Sequence, residues 1–355
     1  MENLEVNQTF WRGRSVFITG HTGFKGGWLA LWLSGLGAKV YGYSLKAPTK
    51  PNFFDIINLK DIIQNSAIGD IRNLDKLKNS VKKAKPSIIF HMAAQPLVRQ
   101  SYNDPIETFT TNIIGTVNLL EVARKIESVR AIVNITTDKC YENNELNQPY
   151  NETHRLGGYD PYSNSKACSE LVTSAYRNSF FSETGVKIAS VRAGNVIGGG
   201  DWATDRLIPD FFRSIESNQI LNVRSPHAIR PWQHVLDPLS GYLILAEKLI
   251  SSEENFAEAW NFGPEELGAK SVSWVLERFS KKFLNAKWEI DDKNRYHEAN
   301  LLKLDISKAK SKLGWSPRWS VESAIDNTIK WHQAFKDNKN MQDFSINQIK
   351  LHQGI

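Results

Sequence analysis

The chain of 355 residues contains only two cysteines and no apolar run long enough to cross a membrane. Cys140 and Cys168 lack the paired spacing of a zinc site or a redox motif, so the sequence predicts no metal and two reduced thiols. The longest apolar stretch, residues 26–38, is well short of the roughly 20 residues that span a bilayer. These absences argue against a disulfide-rich secreted domain, a cysteine-bound metal protein and an integral membrane protein.

A concentrated block of one charge is also missing. The net charge of +6 would suit an anionic partner, but the lysines and arginines are spread along the chain. We therefore expect a generic basic surface that binds neither nucleic acid nor a membrane. The first residues lack the basic, apolar and small-residue segments of a secretory signal, and we expect a cytoplasmic protein.

Strand-like and helix-like segments alternate through the first half of the chain. Such alternation is typical of parallel βαβ units covered on both faces, so it predicts an α/β fold with a doubly wound parallel sheet. The strand-like runs are 15–20, 38–43, 88–94, 130–137 and 186–194, and the clearest helical ones are 24–37, 74–84 and 106–126.

The alternation fades after about residue 195, where irregular segments rich in glycine and proline take over. This predicts a first domain over residues 1–194 and a smaller, mainly substrate-binding lobe over 195–355. The helix-like segments 238–250 and 321–335 are expected to pack back against the sheet. The last dozen residues are polar and weakly periodic, which predicts a frayed C-terminus.

A glycine-rich turn, GHTGFKG, lies between the first strand-like run and the first helix. Gly20, Gly23 and Gly26 permit a tight turn and let backbone N–H groups approach a pyrophosphate at the positive end of the helix. Because both the strand and the helix are present around it, we favour a dinucleotide site over a merely structural turn. Residues 1–194 are then a dinucleotide-binding domain.

The second strand does not end in the acid that usually grips the adenosine ribose. Ser44 and Lys46 stand there instead, which leaves NADP as an alternative to NAD. Asp70 offers a different contact, a hydrogen bond from the adenine amine. The alternative for Asp70 is an ordinary helix cap or loop carboxylate.

Tyr162 and Lys166 are four residues apart at the start of a predicted helix that Asp160 caps and Pro161 opens. An ammonium group near a phenol stabilises the phenolate, so we expect the pKa of Tyr162 to fall from about 10 toward neutrality. The pair suits removal of a hydroxyl proton while a hydride leaves the same carbon. The same spacing often occurs by chance on solvated helices, so the pair indicates a catalytic site only when the glycine turn is also present.

Taken together, the motifs GHTGFKG, GDIRN, HMAAQP, TNIIGTVNLLE, YSNSK and DISKAKSKLGWSP resemble the extended short-chain dehydrogenase/reductase family over nearly the whole chain. The resemblance implies a Rossmann-like sheet, a bound NAD and a nucleotide-sugar substrate. The cofactor contacts that it implies are Gly20, Thr22, Gly23, Phe24, Lys25, Gly26, Asp70, Ile71, Ala93, Ala94, Thr111, Tyr162 and Lys166.

The stretch TTDK follows the fourth of these strand-like runs, and in the family this place carries a Ser or Thr that holds the reacting sugar hydroxyl, here Thr137. In the family's nucleotide-sugar 4,6-dehydratases an Asp and a Glu come next, whereas this chain has Asp138 and Lys139. Asp138 would protonate the departing C6 hydroxyl, which requires a raised pKa. Lys139 would remove the C5 proton if neutral, or stabilise the enolate if charged. The alternative is a solvent-exposed ion pair.

Substrate contacts are expected in the irregular second half and just after HMAA. Arginine forks suit diphosphate oxygens, which makes Arg206 and Arg230 candidate clamps. The resemblance adds Asn195 as a phosphate- or sugar-binding residue. Gln95 and Arg99 are further candidates for contacts near the sugar.

Other functions remain open from the sequence. An oxidoreductase or 4-epimerase of this fold would keep Thr137, Tyr162 and Lys166 without needing Asp138 and Lys139, and a non-catalytic dinucleotide sensor would need none of them. The resemblance also implies a homodimer or a tetramer built on two long helices, one of them within 105–128. It implies a role in making deoxysugars for surface polysaccharide, such as the O-antigen of lipopolysaccharide.

Overall fold

Seven parallel strands form the central sheet in the computed structural model, which describes residues 4–145, 148–283, 285–291 and 301–355. The order across the sheet places the first strand in the middle, with the next two on one side and the later ones on the other. This is the doubly wound arrangement that the alternation predicts, and the prediction is confirmed. The strands of the described chain are β1 (Ser15–Thr19), β2 (Lys39–Ser44), β3 (Asn65–Ile68), β4 (Ile88–His91), β5 (Ala131–Ile135), β6 (Lys187–Ala193), β7 (Val196–Ile197), β8 (Leu221–Val223), β9 (Ile229–Pro231), β10 (Gln233–His234), β11 (Ala259–Phe262), β12 (Ala269–Ser271) and β13 (Trp288–Ile290).

Helices cover both faces of the sheet, whose order is β11-β6-β5-β4-β1-β2-β3. Two helical segments contain a π-helical turn. One turn, Thr110–Ile114, directly precedes the helix that begins at Gly115, and the other, Arg177–Phe181, directly follows the helix that ends at Tyr176. The helices are α1 (Gln8–Trp11), α2 (Phe24–Gly35), α3 (Phe53–Ile56), α4 (Leu59–Ile62), α5 (Leu74–Ala84), α6 (Val98–Asn103), α7 (Pro105–Phe109), α8 (Gly115–Ala123), α9 (Pro161–Tyr176), α10 (Leu207–Glu216), α11 (Leu236–Ser251), α12 (Val272–Ser280), α13 (Ser307–Leu313), α14 (Val321–Lys336) and α15 (Met341–Gln353).

Two apolar layers sandwich the sheet because successive strand residues point to opposite faces. Val16 and Ile18 of β1 pack in the layer that contains α2 and α11, whereas Phe17 packs in the layer of α5 and α8. All residues of β4 and β5 are buried, as expected for central strands covered on both sides. The ends of these strands are therefore held rigidly.

The second half of the chain builds a smaller lobe with its own apolar cluster around Phe211, Leu276 and Phe279. Short two-stranded pairs, β7–β10, β9–β12 and β8–β13, shape this lobe. The chain also returns to the sheet, because β11 pairs with β6 and α11 packs on β5 and β6. Within the described ranges, no helix combines the length and apolarity of a membrane span.

The expectation of a frayed C-terminus is wrong. Residues Met341–Gln353 form α15, and its Ile349 and His352 are buried. His352 Nε2 lies 2.9 Å from Asp237 Oδ1 at the start of α11, and both side chains are fully buried. A polar helix with few apolar residues is thus fixed by buried contacts, among them Trp331 Nε1 to Ser345 Oγ at 2.9 Å, that local periodicity does not show.

Candidate active site

A cavity of about 1200 Å³ opens along the carboxyl ends of the sheet strands. It runs from the glycine turn, past the end of β5 and the start of α9, to β8 in the smaller lobe. This is the place where open α/β sheets bind ligands, at the point where the strand order reverses.

The glycine turn is too crowded for side chains at two of its positions. Gly20 has φ +80°, and a Cβ there would lie 2.8 Å from the backbone nitrogen of Ala93. A Cβ on Gly26 would lie 2.1 Å from the carbonyl oxygen of Gly20. The N-cap of α2, Gly23, has no side-chain capping bond, so the first N–H groups of the helix face the cavity and suit an anion.

Cations surround the inner part of this turn. Lys25 lines the cavity, and burial together with the nearby charges of Lys166 and Arg206 lowers the pKa of Lys25 to about 7. Its ammonium group lies 3.4 Å from the hydroxyl oxygen of Tyr242. The charged form of Lys25, which burial and its two cationic neighbours disfavour, would be stabilised by an anionic ligand.

The end of β2 carries hydroxyl groups in place of an acid. Ser44 Oγ and Thr22 Oγ1 are 2.8 Å apart, and Thr22 also donates to the carbonyl oxygen of Leu45 at 2.9 Å. Asp70 lies on the cavity wall, where its carboxylate accepts hydrogen bonds from Arg72 that hold the pKa of Asp70 below its usual value. The adenine contact predicted for Asp70 therefore competes with a local ion pair and stays a prediction.

The remaining predicted cofactor residues lie on the same wall. Ala93 and Ala94 follow β4, and Thr111 belongs to the π-helical turn, which places its side chain at the cavity instead of along a regular helix. Ile71 lines the cavity next to Asp70 and is buried.

Helix α9 begins as predicted. The Asp160 side chain accepts a hydrogen bond from Ser163 N at 2.9 Å and Pro161 is the first helical residue. Tyr162 and Lys166 are both buried and both line the cavity. Lys166 Nζ donates a hydrogen bond to the carbonyl oxygen of Ile135, the last residue of β5, at 3.2 Å.

The expected fall in the pKa of Tyr162 is wrong for this structure. Burial raises the pKa of Tyr162 to about 12, although a hydrogen bond with Thr137 and the charge of Arg206 act in the opposite direction. Desolvation is the largest of these effects, and the Lys166 ammonium group donates its hydrogen bond to the Ile135 carbonyl oxygen. Burial lowers the pKa of Lys166 to about 8, against the opposing charge of Glu170.

The turn after β5 presents an acid to the cavity. Thr137 Oγ1 donates to Asp138 Oδ1 at 3.0 Å, while Asp138 Oδ2 has no hydrogen-bond partner among the described residues. Asp138 is only 2% exposed, and burial raises its pKa against the charge of Lys139. This is the direction that a proton donor at C6 requires.

Lys139 is half-buried and lines the cavity beside Asp138. In the part of the chain that the structure describes, no ion pair joins Lys139 Nζ to the Asp138 carboxylate. Because Asp138 is buried and this contact is missing, the alternative of a solvent-exposed ion pair is wrong. The two side chains are separately available to a ligand in the cavity.

Four of the five basic and amide groups predicted to hold substrate line the cavity. Arg206 Nη1 donates to Asp201 Oδ2 at 2.8 Å, and Arg99 Nη1 donates to Asp205 Oδ1 at 2.9 Å. The sequence analysis did not single out Asp201 and Asp205, although both stand in the same stretch as Arg206. The lining residues from this prediction are Arg99, Asn195, Arg206 and Arg230.

The structure places Gln95 outside the cavity wall, contrary to the predicted sugar contact. Its Nε2 donates to Thr108 Oγ1 at 2.8 Å and to Leu97 O at 3.1 Å, and its Oε1 accepts from Leu97 N at 2.6 Å. The amide is thus used to shape the loop after β4. A buried amide takes whichever partners satisfy it, and here all of them are internal.

The sheet, the glycine turn and the Tyr162–Lys166 helix define an extended short-chain dehydrogenase/reductase. Residues 17–328 match the family described as GDP-mannose 4,6 dehydratase, and the chain belongs to that family. It is 54% identical to the CDP-glucose 4,6-dehydratase of Salmonella typhimurium over 97% of both chains. It is 27% identical to the dTDP-glucose 4,6-dehydratase of Haemophilus influenzae over 74% of this chain and 81% of the relative.

Solved structures share the fold. A UDP-glucose 4-epimerase from Thermotoga maritima with UDP-glucose superposes with a TM-score of 0.76 at 22% identity, covering 90% of this chain and 99% of the other. A dTDP-glucose 4,6-dehydratase from Bacillus anthracis in complex with NAD gives 0.75 at 21% identity, covering 93% and 100%. At this identity the likeness establishes the architecture alone.

Proposed function

We propose that the protein is a CDP-glucose 4,6-dehydratase, a hydro-lyase that converts CDP-D-glucose to CDP-4-dehydro-6-deoxy-D-glucose and water. The observation that carries the proposal is the Asp138 carboxyl group, buried in the cavity with a raised pKa and an oxygen that no described group binds. An epimerase of this fold has no use for such an acid. The 54% identity to the Salmonella enzyme over nearly the full length supports the choice of the cytidine nucleotide.

NAD fits the glycine turn. A side chain at Gly20 or Gly26 would clash with the backbone, so glycine keeps the turn tight, and the open N-terminus of α2 together with Lys25 suits a pyrophosphate. The adenosine ribose would meet Ser44 and Thr22 in place of an acid. NAD, when bound, accepts the hydride from C4 of the sugar and later returns it to C6.

The first chemical step removes the proton of the C4 hydroxyl. Thr137 holds that hydroxyl by a hydrogen bond, and Tyr162 takes its proton as the C4 ketone forms. This step needs the phenolate form of Tyr162, which burial disfavours by raising the pKa to about 12 and which the hydrogen bond with Thr137 and the charge of Arg206 favour in part. The new ketone acidifies the hydrogen on C5.

Elimination follows at C5 and C6. Lys139, as the neutral amine, takes the C5 proton while protonated Asp138 gives its proton to the C6 hydroxyl, which leaves as water. After the hydride has arrived at C6, Lys139 returns a proton to C5. The sugar has then lost one water, Asp138 is reprotonated from the proton that Tyr162 gained, and no net oxidation has taken place.

The nucleoside diphosphate is held by the second half of the cavity. Arg206, Arg230 and Asn195 face it from the smaller lobe, with Arg99 opposite. The diphosphate would compete with Asp201 for Arg206 and with Asp205 for Arg99, since arginine binds carboxylate and phosphate oxygens in the same geometry. Binding thus exchanges internal ion pairs for substrate contacts.

The assembly is proposed to be a homodimer that buries the outer face of two helical segments. Ile106 and Ile114 on the 105–123 segment, and Leu171 and Phe180 on the 161–181 segment, are large apolar side chains that remain exposed in the single chain. Exposed apolar clusters of this kind mark subunit contacts.

The two thiols, both free, suit the cytoplasm, where a deoxysugar precursor for surface polysaccharide would be made.

Product mass tests the proposal directly. Purified protein is incubated separately with CDP-glucose, UDP-glucose, dTDP-glucose and GDP-mannose, with NAD, with NADP and with neither. We expect loss of one water from CDP-glucose with no net reduction of added cofactor. Unchanged mass for every sugar would overturn the dehydratase, and NMR of the sugar would then separate a 4-epimerase from a protein that only binds the cofactor.

A further inference from the structure

Glu170 follows Tyr162 and Lys166 on α9 at successive intervals of four residues, so the three side chains share one face of the helix. This face is directed at the end of β5 and the turn that carries the proposed acid and base. Three contacts join it to consecutive residues of that segment: Lys166 to Ile135, Glu170 to Thr136 and Tyr162 to Thr137.

The Glu170 carboxylate is buried and is saturated with hydrogen bonds. It accepts from Thr136 Oγ1 at 2.5 Å, from Ser190 Oγ at 2.6 Å, and from Arg192 Nε and Nη2 at 3.0 and 2.9 Å. These donors come from the end of β5 and from β6. Glu170 therefore ties the catalytic helix to both strands at the level of the active site.

Arg192 extends the network to the far end of the turn. Its Nη1 donates to the hydroxyl oxygen of Tyr141 at 2.8 Å, and its guanidinium lies 4.8 Å from the centre of the Tyr141 ring. The Tyr141 hydroxyl in turn donates to Asn261 Oδ1 on β11 at 2.7 Å. The segment from Thr136 to Tyr141 is thus held at both ends, with Asp138 and Lys139 between them.

We propose that Glu170, through its ion pair with Arg192, is a positioning residue that fixes the turn carrying Asp138 and Lys139 against helix α9. The proposal rests on the dehydratase function, in which Tyr162 on α9 and the two groups on the turn act on adjacent carbons of one sugar. Glu170 does not itself line the cavity, whereas its partner Thr136 does, so Glu170 acts through its neighbours.

The physical reason for an ion pair is geometric precision. Burying two charges costs more than burying apolar side chains of the same size, so stability alone does not explain a buried Glu and Arg. A fully bonded network does restrict its members to one arrangement. Asp138 and Lys139 need that restriction, because a reacting group displaced by about 1 Å can lose about 10²-fold in rate.

The test compares Glu170→Gln with a control in the same pair of elements. Glu170→Gln keeps the size but removes the charge that holds Arg192. Asn134→Ala removes two other buried hydrogen bonds between β5 and α9, those from Asn134 Nδ2 to Ser169 and Thr173, which lie farther from the turn. If Glu170→Gln does not fold, Glu170→Gln/Arg192→Gln removes both charges and avoids an uncompensated arginine.

The first measurement is amide hydrogen exchange of residues 136–141 in the free protein, which requires no activity. We expect faster exchange there in the Glu170 variants and wild-type exchange in Asn134→Ala. Unchanged exchange in the Glu170 variants would overturn the proposal. This result stands even if the wild type leaves CDP-glucose unchanged, in which case the dehydratase function fails separately.

The second measurement is steady-state kinetics with CDP-glucose. We expect kcat of the Glu170 variants to fall about 10- to 100-fold with KM nearly unchanged, because the turn is displaced while the diphosphate site is intact. Reduced nicotinamide should accumulate, since Tyr162 still supports oxidation at C4 while elimination stalls. Faster exchange with wild-type kcat would show that the network serves stability alone and would overturn the positioning role.

Discussion

Thr137 donates a hydrogen bond to one oxygen of Asp138 and leaves the other oxygen without a partner among the described residues. One threonine hydroxyl thus orients the carboxyl group, and burial raises its pKa, which favours the protonated form. A neutral carboxyl group carries one proton, and only Oδ2 is directed away from Thr137. When Oδ2 is protonated, Asp138, which lines the cavity, would be able to donate this proton to a ligand.

Replacing Asp138 by Asn should separate the two halves of the reaction. The amide cannot protonate the C6 hydroxyl, so we expect kcat for dehydration to fall by about 10² to 10⁴. Oxidation at C4 depends on Tyr162 and should persist as reduced nicotinamide without product. Cys140→Ala, also buried in this turn but outside the cavity lining, is the control and should keep kcat. Wild-type dehydration by Asp138→Asn would remove Asp138 from the mechanism.

Lys139 stands where the family resemblance leads us to expect an acidic residue, and two substitutions define its role. If its amine takes the C5 proton, Lys139→Met should lose about 10² to 10⁴ in kcat and Lys139→Glu should recover part of it, because a carboxylate can act as the base. Solvent deuterium incorporation at C5 reports this step. Lys78→Met, on α5 and outside the cavity lining, should leave kcat unchanged. A Glu variant less active than the Met variant would mean that Lys139 acts as a cation on the enolate.

The strands and the cofactor-binding part of the site can be predicted from the sequence because the motifs that mark them consist of adjacent residues. A β-rich run, a glycine turn and an apolar helix are adjacent in the chain, and parallel strands bring their carboxyl ends to one edge. The catalytic helix follows for the same reason, since Asp160, Pro161, Tyr162 and Lys166 lie within seven residues. For these motifs, the neighbouring residues in the chain already indicate where the motif lies in the fold.

The features that sequence reasoning missed depend on partners distant in the chain. Gln95 is withdrawn from the cavity by Thr108, and α15 is docked by a contact between His352 and Asp237, which are 115 residues apart. The pKa of Tyr162 depends on burial, which the four-residue spacing to Lys166 does not encode. Residue spacing predicts which groups meet on a helix, and tertiary packing decides their environment.

Acid should destabilise the fold through buried histidines, of which His91 is the clearest. Burial lowers the pKa of His91 to about 3, so the native state keeps it neutral while the unfolded chain binds a proton below about 6.5. The free energy of unfolding should therefore fall as the pH drops from about 6.5 toward 3, by about 1.4 kcal/mol per unit for this group. Denaturant titrations between these pH values should show that the free energy of unfolding of His91→Asn changes less steeply with pH than that of the wild type. The difference in slope should correspond to about one proton.

The control for this slope is His227→Asn, which should keep the wild-type slope. His227 is exposed, so it contacts water in both the folded and the unfolded state. An identical slope for His91→Asn and the wild type would contradict the burial argument. His91 bonds to Thr19 and Thr116 at 2.8 and 3.2 Å, and Asn retains the first of these contacts, which limits the loss of stability at neutral pH.

The contact between the C-terminal helix α15 and the start of α11 should contribute to the free energy of unfolding. His352 packs on Asp237 at the start of α11, and α11 packs on β5 and β6, the strands whose ends carry Asp138 and Arg192. We expect His352→Ala to lower the free energy of unfolding by about 3 kcal/mol, from the lost buried hydrogen bond and the cavity left behind. Leu351→Ala, one residue away but 59% exposed, should change it by less than about 0.5 kcal/mol. Equal effects of the two substitutions in denaturant unfolding would mean that the contact between His352 and Asp237 does not stabilise the fold.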